Sequence, residues 1–259
     1  MQLPLYQVDV FTDRLFRGNP AAVCPLPHWL EDDLLQSIAA ENNLSETAFF
    51  VKEKEDYRLR WFTPRVEVEL CGHATMASAF VIFRNLESQA RKVHFNTLSG
   101  RLSVRNTEQG LQMDLPAYTV EPCAISQTLI DGLQAAPKEC YRSKHYLAVF
   151  ENEQDIIDMQ PDFAAIKALD VGEVMVSAPG REVDFVSRFF APAVGIDEDP
   201  VTGAAHSTLT PYWAKRLQKH TMQARQLSGR GGRLLCTLRN DRVLLTGQAV
   251  LYLKGNIVL

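Results

Sequence analysis

The feature that most constrains this chain is that it repeats its own pattern. Arg60-Trp61-Phe62-Thr63-Pro64 has a counterpart in Arg188-Phe189-Phe190-Ala191-Pro192, and Leu98-Ser99-Gly100-Arg101 recurs as Leu227-Ser228-Gly229-Arg230. Between these anchors each half has a glycine opening a run of small residues, Gly72-His73-Ala74-Thr75 and Gly203-Ala204-Ala205-His206. Three anchors in one order, at a spacing of about 130 residues, mark a duplication and restrict the fold to two copies of one plan. A length of 259 residues accommodates two units of ordinary domain size. The first is expected over residues 1–117, completed by a C-terminal strand over 248–259, and the second over 118–247.

Each half reads as strand, loop, glycine, helix, strand, turn, strand. The residues from Met1 to Phe11 alternate in polarity and predict a first strand, not a targeting segment. Val66, Val68 and Leu70 alternate with Glu67 and Glu69, the period of a half-buried strand leading to Gly72. From Ala74 to Phe83 the residues are apolar on nearly every side, which predicts a helix buried all round. Its counterpart from Ala204 to Leu217 carries Pro211, which is expected to kink it or end its first segment. Asp33 to Ala40 has helical spacing, and Asn106 to Gly110 and Asn240-Asp241 are hairpin signals. The expected class is α+β: two pseudo-symmetric domains, each a curved, mostly antiparallel sheet wrapped around a central helix. A doubly wound fold is disfavoured because few long helices are found.

Composition excludes several function classes. A net charge of −4 without a basic run gives no footprint for nucleic acid or an anionic membrane. No apolar run of about 18 residues occurs, so no spanning helix is expected. Five cysteines at irregular spacing, without CxxC, suggest neither a disulfide framework nor a zinc site, and fit reduced thiols in a cytoplasm. His28, His94, His145 and His220 have no partners at ligand spacing, so no metal is indicated. Ser228 to Gly232 lacks the lysine and spacing of a phosphate loop and reads as a turn between strands.

Helices starting at Gly72 and Gly203 expose unpaired N–H groups that favour a small carboxylate, and duplicated halves are expected to face one another across an interdomain cleft. His73 and Asp199 stand beside those starts. A packed structural histidine and a helix-start acid are the competing readings of the two. Glu46, in Leu44-Ser45-Glu46-Thr47-Ala48, reads on periodicity alone as a solvated acid at a strand end. Proton transfer would need it in a dry site.

Asp9-Val10-Phe11-Thr12, Phe16-Arg17-Gly18-Asn19-Pro20-Ala21-Ala22-Val23, Ser45-Glu46-Thr47-Ala48-Phe49, Arg60-Trp61-Phe62-Thr63-Pro64, Cys71-Gly72-His73-Ala74-Thr75 and Glu198-Asp199-Pro200-Val201-Thr202-Gly203 follow one another along the chain. With these motifs the chain resembles the phenazine-biosynthesis-like (PhzF-like) isomerases over essentially its full length. The resemblance implies a diaminopimelate-epimerase-like fold. It implies that Glu46 is the acid/base moving a proton between carbons of one small anionic substrate, with Gly18, Asn19, Gly72, His73, Asp199, Gly203 and Ala204 binding it. It also implies no metal or organic cofactor, and a homodimer. The family commonly has serine where this chain has Ala204, which bears on the substrate. Epimerases of the related fold use two cysteines, each before a helix glycine. Here those positions hold Cys71 and Thr202, so an epimerase is disfavoured and Cys71 reads as a packing residue. A binding protein that has lost the reaction is the other alternative.

Overall fold

The computed structural model describes residues 1–259. The chain divides into two compact units, Met1–Asp114 with Thr246–Leu259, and Leu115–Leu245. No helix is long and apolar enough to cross a membrane.

In the first unit β1 (Gln2–Val10) pairs antiparallel with the C-terminal strand Ala249–Val258 on one side and with β2 (Asn19–Leu26) on the other. The chain continues through α1 (Asp32–Asn42), β3 (Thr47–Glu53), β4 (Asp56–Phe62), β5 (Glu67–Val68), α2 (Gly72–Val81), β6 (Lys92–Thr97), β7 (Gly100–Thr107) and β8 (Gly110–Pro116). Pairing is antiparallel except for β2 with β3 and β4 with β6. A parallel pair needs a crossover, and α1 and α2 supply the two.

The second unit holds β9 (Glu121–Pro122), α3 (Gln127–Leu133), β10 (Glu139–Arg142), β11 (Tyr146–Val149), α4 (Glu153–Ile157), α5 (Phe163–Lys167), β12 (Val174–Pro179), β13 (Phe185–Ala191), β14 (Ile196–Glu198), α6 (Gly203–Leu217), β15 (Thr221–Gln226), β16 (Gly232–Arg239) and β17 (Arg242–Gly247). Its parallel pairs, β11 with β12 and β13 with β15, again flank helical crossovers, the second made by α6. Both units are thus α+β, with a mostly antiparallel sheet and one central helix.

Helix α2 is buried on all sides, from His73 through Val81 except Phe80. Its hydroxyls therefore turn inward on the helix: Thr75 Oγ1 donates to the Cys71 carbonyl at 2.6 Å and Ser78 Oγ to the Ala74 carbonyl at 2.8 Å. Satisfied in this way, a hydroxyl in an apolar core costs little. In α6 the indole of Trp213 stacks on Phe185 with centroids 5.7 Å apart, and its Nε1 donates to Ser177 Oγ at 2.9 Å.

The recurring arginine has one task in both units. Arg60 Nε and Nη2 donate to the two carboxylate oxygens of Glu67 at 2.7 and 2.8 Å, and Arg188 does the same to Glu198 at 2.7 and 3.0 Å. Glu67 is paired across the ladder with Phe62 and Glu198 with Phe190, two residues beyond each arginine. Each planar fork fixes the short strand that delivers the chain to its helix glycine.

Two local expectations are corrected. Val66 and Leu70 are exposed, and the strand shrinks to Glu67–Val68. Thr63 causes this: its Oγ1 accepts from the Arg65 and Val66 amides and its own N–H donates to the Val66 carbonyl, so Thr63 to Val66 is a tight turn. Pro211 does not end its helix, since α6 runs as one element from Gly203 to Leu217. The carbonyl left without a helical donor four residues earlier belongs to Ser207, and the Tyr118 N–H reaches it at 2.9 Å. An outside donor removes much of the usual cost of an interior proline.

Candidate active site

In the first unit the parallel ladder of β2 and β3 extends back to Glu46, whose carbonyl accepts the Ala22 N–H at 3.1 Å. That bond fixes the backbone at the start of β3 and turns the side chain inward, so that it is only 12% exposed. The solvated acid expected from periodicity is therefore a largely buried one. Its Oε2 lies 3.1 Å from Nε2 of His73, the second residue of α2, whose side chain is 7% exposed. The oxygen has no aligned hydrogen-bond donor, so the contact is one of charge.

Asn19, the first residue of β2, brings its amide Nδ2 to 3.2 Å from His73 Nδ1. Cys71 Sγ stands 3.5 Å from the same nitrogen and 4.0 Å from Nε2. Burial works against a charge on His73, but the anionic forms of Cys71 and Glu46 beside it outweigh burial and raise its pKa well above 6.5. Burial and the Glu46 charge push the Cys71 thiol up to about 11, with His73 opposing. His73 and Cys71 each hold a proton more tightly than the free side chain does. An imidazolium donates from both nitrogens, and a doubly protonated His73 would require the Asn19 amide to turn its oxygen, in place of Nδ2, toward Nδ1.

Glu46, Cys71 and His73 also place donor atoms within 4.8 Å of one another, close enough for a metal ion. A metal bound there would release the protons of Cys71 and His73.

Gly18 is set by its backbone. It has φ +67°, and a Cβ there would stand 2.1 Å from the Val10 carbonyl oxygen. Gly72 opens α2 after an extended Cys71, and no side chain caps the helix or places an acid in its first turn. Those N–H groups remain suited to an anion.

In the second unit α6 likewise begins at Gly203 without a side-chain cap or an acid in its first turn, and Ala204 is exposed. Thr202 Oγ1 donates to Asp199 Oδ2 at 2.5 Å. Buried Gln226 ties the segment down: its Oε1 accepts the Thr202 N–H at 2.9 Å, and its Nε2 donates to the Asp199 carbonyl at 2.8 Å. His206 Nδ1 donates to the Thr202 carbonyl at 2.8 Å, the position-for-position counterpart of Thr75 in α2. Burial holds His206 neutral, with its pKa down at about 4.

Cys71, expected as a packing residue, is buried against His73. Gln226 carries no sequence signal, because only β15 lying beside the start of α6 makes it a tether.

A family model described as "Phenazine biosynthesis-like protein" matches residues 8–255. An uncharacterized isomerase of Pseudomonas aeruginosa is 51% identical over 257 residues, covering 99% of each chain. A crystal structure of a phenazine biosynthesis protein of the PhzF family from Enterococcus faecalis superposes with a TM-score of 0.98 at 46% identity, covering 100% of both chains. A predicted epimerase from Pseudomonas aeruginosa, 18% identical with a TM-score of 0.76 over 99% of each chain, shares the fold. The six motifs, the repeated sheet-and-helix plan and these full-length matches agree that the chain belongs to the phenazine biosynthesis-like protein family.

Proposed function

We propose that this chain is an isomerase in which Glu46 takes a proton from one carbon of a small anionic metabolite and returns it to another. The observation that carries the reading is the buried pairing of Glu46 with His73 at 3.1 Å beside an uncapped helix start. A base needs to be ionised and shielded from bulk water. When Glu46 removes a proton, negative charge develops on the substrate, and the His73 imidazolium stands where that charge is stabilised. The N–H groups of the first turn of α2 suit the substrate carboxylate. Asn19 orients the ring in this reading. No organic cofactor is required, because one carboxylate performs both proton transfers.

A two-thiol epimerase is disfavoured on chemical grounds. The Cys71 thiol is pushed up to about 11, and its counterpart is Thr202, a hydroxyl engaged by Asp199. Such a mechanism needs a thiolate on one side and a second thiol on the other.

The test is solvent exchange at carbon. Candidate small carboxylates that shift the melting temperature are incubated with enzyme in heavy water and followed by NMR. Wild type is expected to incorporate deuterium, and Glu46→Gln to lose the activity by a factor on the order of 10² or more. Undiminished exchange in Glu46→Gln would remove Glu46 from the role. Binding without exchange in wild type would favour a ligand-binding protein.

A further inference from the structure

The five cysteines are all free, and two of them lie side by side in the second unit. Antiparallel pairing sets Tyr141 opposite Pro122 and Arg142 opposite Glu121. Continued by one residue, that register brings Cys123 against Cys140, and the Cys123 N–H donates to the Cys140 carbonyl at 2.9 Å. Their sulfurs stand 3.1 Å apart across a separation of 17 residues. A disulfide needs about 2.0 Å between sulfurs, so the two must approach by only about another ångström. Both backbones are already held by the ladder. Cys123 is half-buried and reachable by a small oxidant, whereas Cys140 is buried in the core cluster with Leu129, Leu133 and Phe150. No CxxC announces the pair, because α3 and its flanking loops separate the two cysteines in the chain.

We infer that Cys123 and Cys140 are a redox-active dithiol that closes to an intramolecular disulfide when met by a low-molecular-weight disulfide such as oxidised glutathione. The Cys123 thiolate attacks one sulfur of the oxidant and releases one thiolate, which takes up a proton. The Cys140 sulfur then loses its proton and attacks Cys123, releasing the second thiolate, which takes up a proton. Two protein thiols are oxidised and one small disulfide is reduced to two thiols. The other cysteines cannot substitute in this sequence. Cys24, Cys71 and Cys236 are buried, and none of them has a second sulfur beside it.

The experiment uses the reduced full-length protein treated with oxidised glutathione without oxygen, then analysed by free-thiol count, intact mass and peptide mapping. Wild type is expected to lose two thiols, gain no glutathione, yield a Cys123–Cys140 linked peptide, and recover with dithiothreitol. Cys140→Ser is expected to stop at a glutathione adduct on Cys123. Cys123→Ser, the more conservative change at a half-exposed site, is expected to keep all its remaining thiols. Retention of all five thiols in wild type, a lasting glutathione adduct on wild-type Cys123, or a disulfide to any other cysteine would each overturn the inference.

Discussion

His73 Nε2 lies 3.1 Å from Glu46 Oε2, and neither side chain has more than 12% of its surface in solvent. The start of β3 and the first turn of α2 meet there, so an acid and a base distant in the chain share one charge pair. Because the folded pKa of His73 is raised above 6.5, its stabilising contribution is complete below 6.5 and is lost as pH rises through the folded value. Stability should therefore decline on the alkaline side as the imidazolium loses its proton. In Glu46→Gln the His73 midpoint should fall and the decline should move to lower pH. Histidine ring NMR titration, with urea midpoints at matching pH, measures both. A His73 midpoint that Glu46→Gln leaves unmoved would contradict the pairing.

His206 behaves in the opposite sense. Its Nε2 is buried without a partner, and its pKa is down at about 4. The unfolded chain then takes up a proton that the folded chain refuses. Stability is complete above 6.5 and falls as pH drops from 6.5 to about 4, by about 3 kcal/mol in total. His206→Gln keeps a donor for the Thr202 carbonyl without the titration. Urea unfolding between pH 7 and 4 should show a shallower loss in this variant.

The two arginine forks should differ in worth. Arg188 also donates through Nη1 to the carbonyls of Ile156 and Met159 at 3.2 and 2.8 Å, and its side chain is 12% exposed. Arg60 is 18% exposed, and its third partner is the exposed Asp32. Arg188→Met leaves a carboxylate and two carbonyls without their donor and should cost about 3 kcal/mol. Arg60→Met should cost about 1 to 2 kcal/mol. Equal losses in denaturant midpoints would show that the extra carbonyl bonds contribute nothing.

Gly18 and Gly231 have nearly the same backbone angle, φ +67° and +65°, but different surroundings. A Cβ at 18 meets the Val10 carbonyl oxygen at 2.1 Å, whereas at 231 nothing lies closer than 3.5 Å. Gly231→Ala should therefore cost about 1 kcal/mol, the left-handed backbone term alone. Gly18→Ala adds a backbone collision and should cost on the order of 3 kcal/mol. Thermal unfolding of the two variants separates conformational strain from steric exclusion.

By itself the sequence determined what is local or repeated. The duplicated anchors, the helix starts at Gly72 and Gly203, the all-apolar run of α2, the helical spacing of α1 and the hairpin signals are readable because periodicity and turn chemistry act over a few residues. The resemblance of six ordered motifs to one family singled out Glu46, which periodicity alone left as a solvated acid. Tertiary structure decided the rest. Whether an acid is buried depends on what packs over it, so Glu46 gains its setting only when β2, β3 and α2 come together around Asn19, Cys71 and His73. The same holds where Tyr118 supplies the donor that lets α6 pass through Pro211, and where β9 and β10 bring Cys123 to Cys140. Each of these is a contact between segments far apart in the chain, and no local pattern encodes which partner arrives.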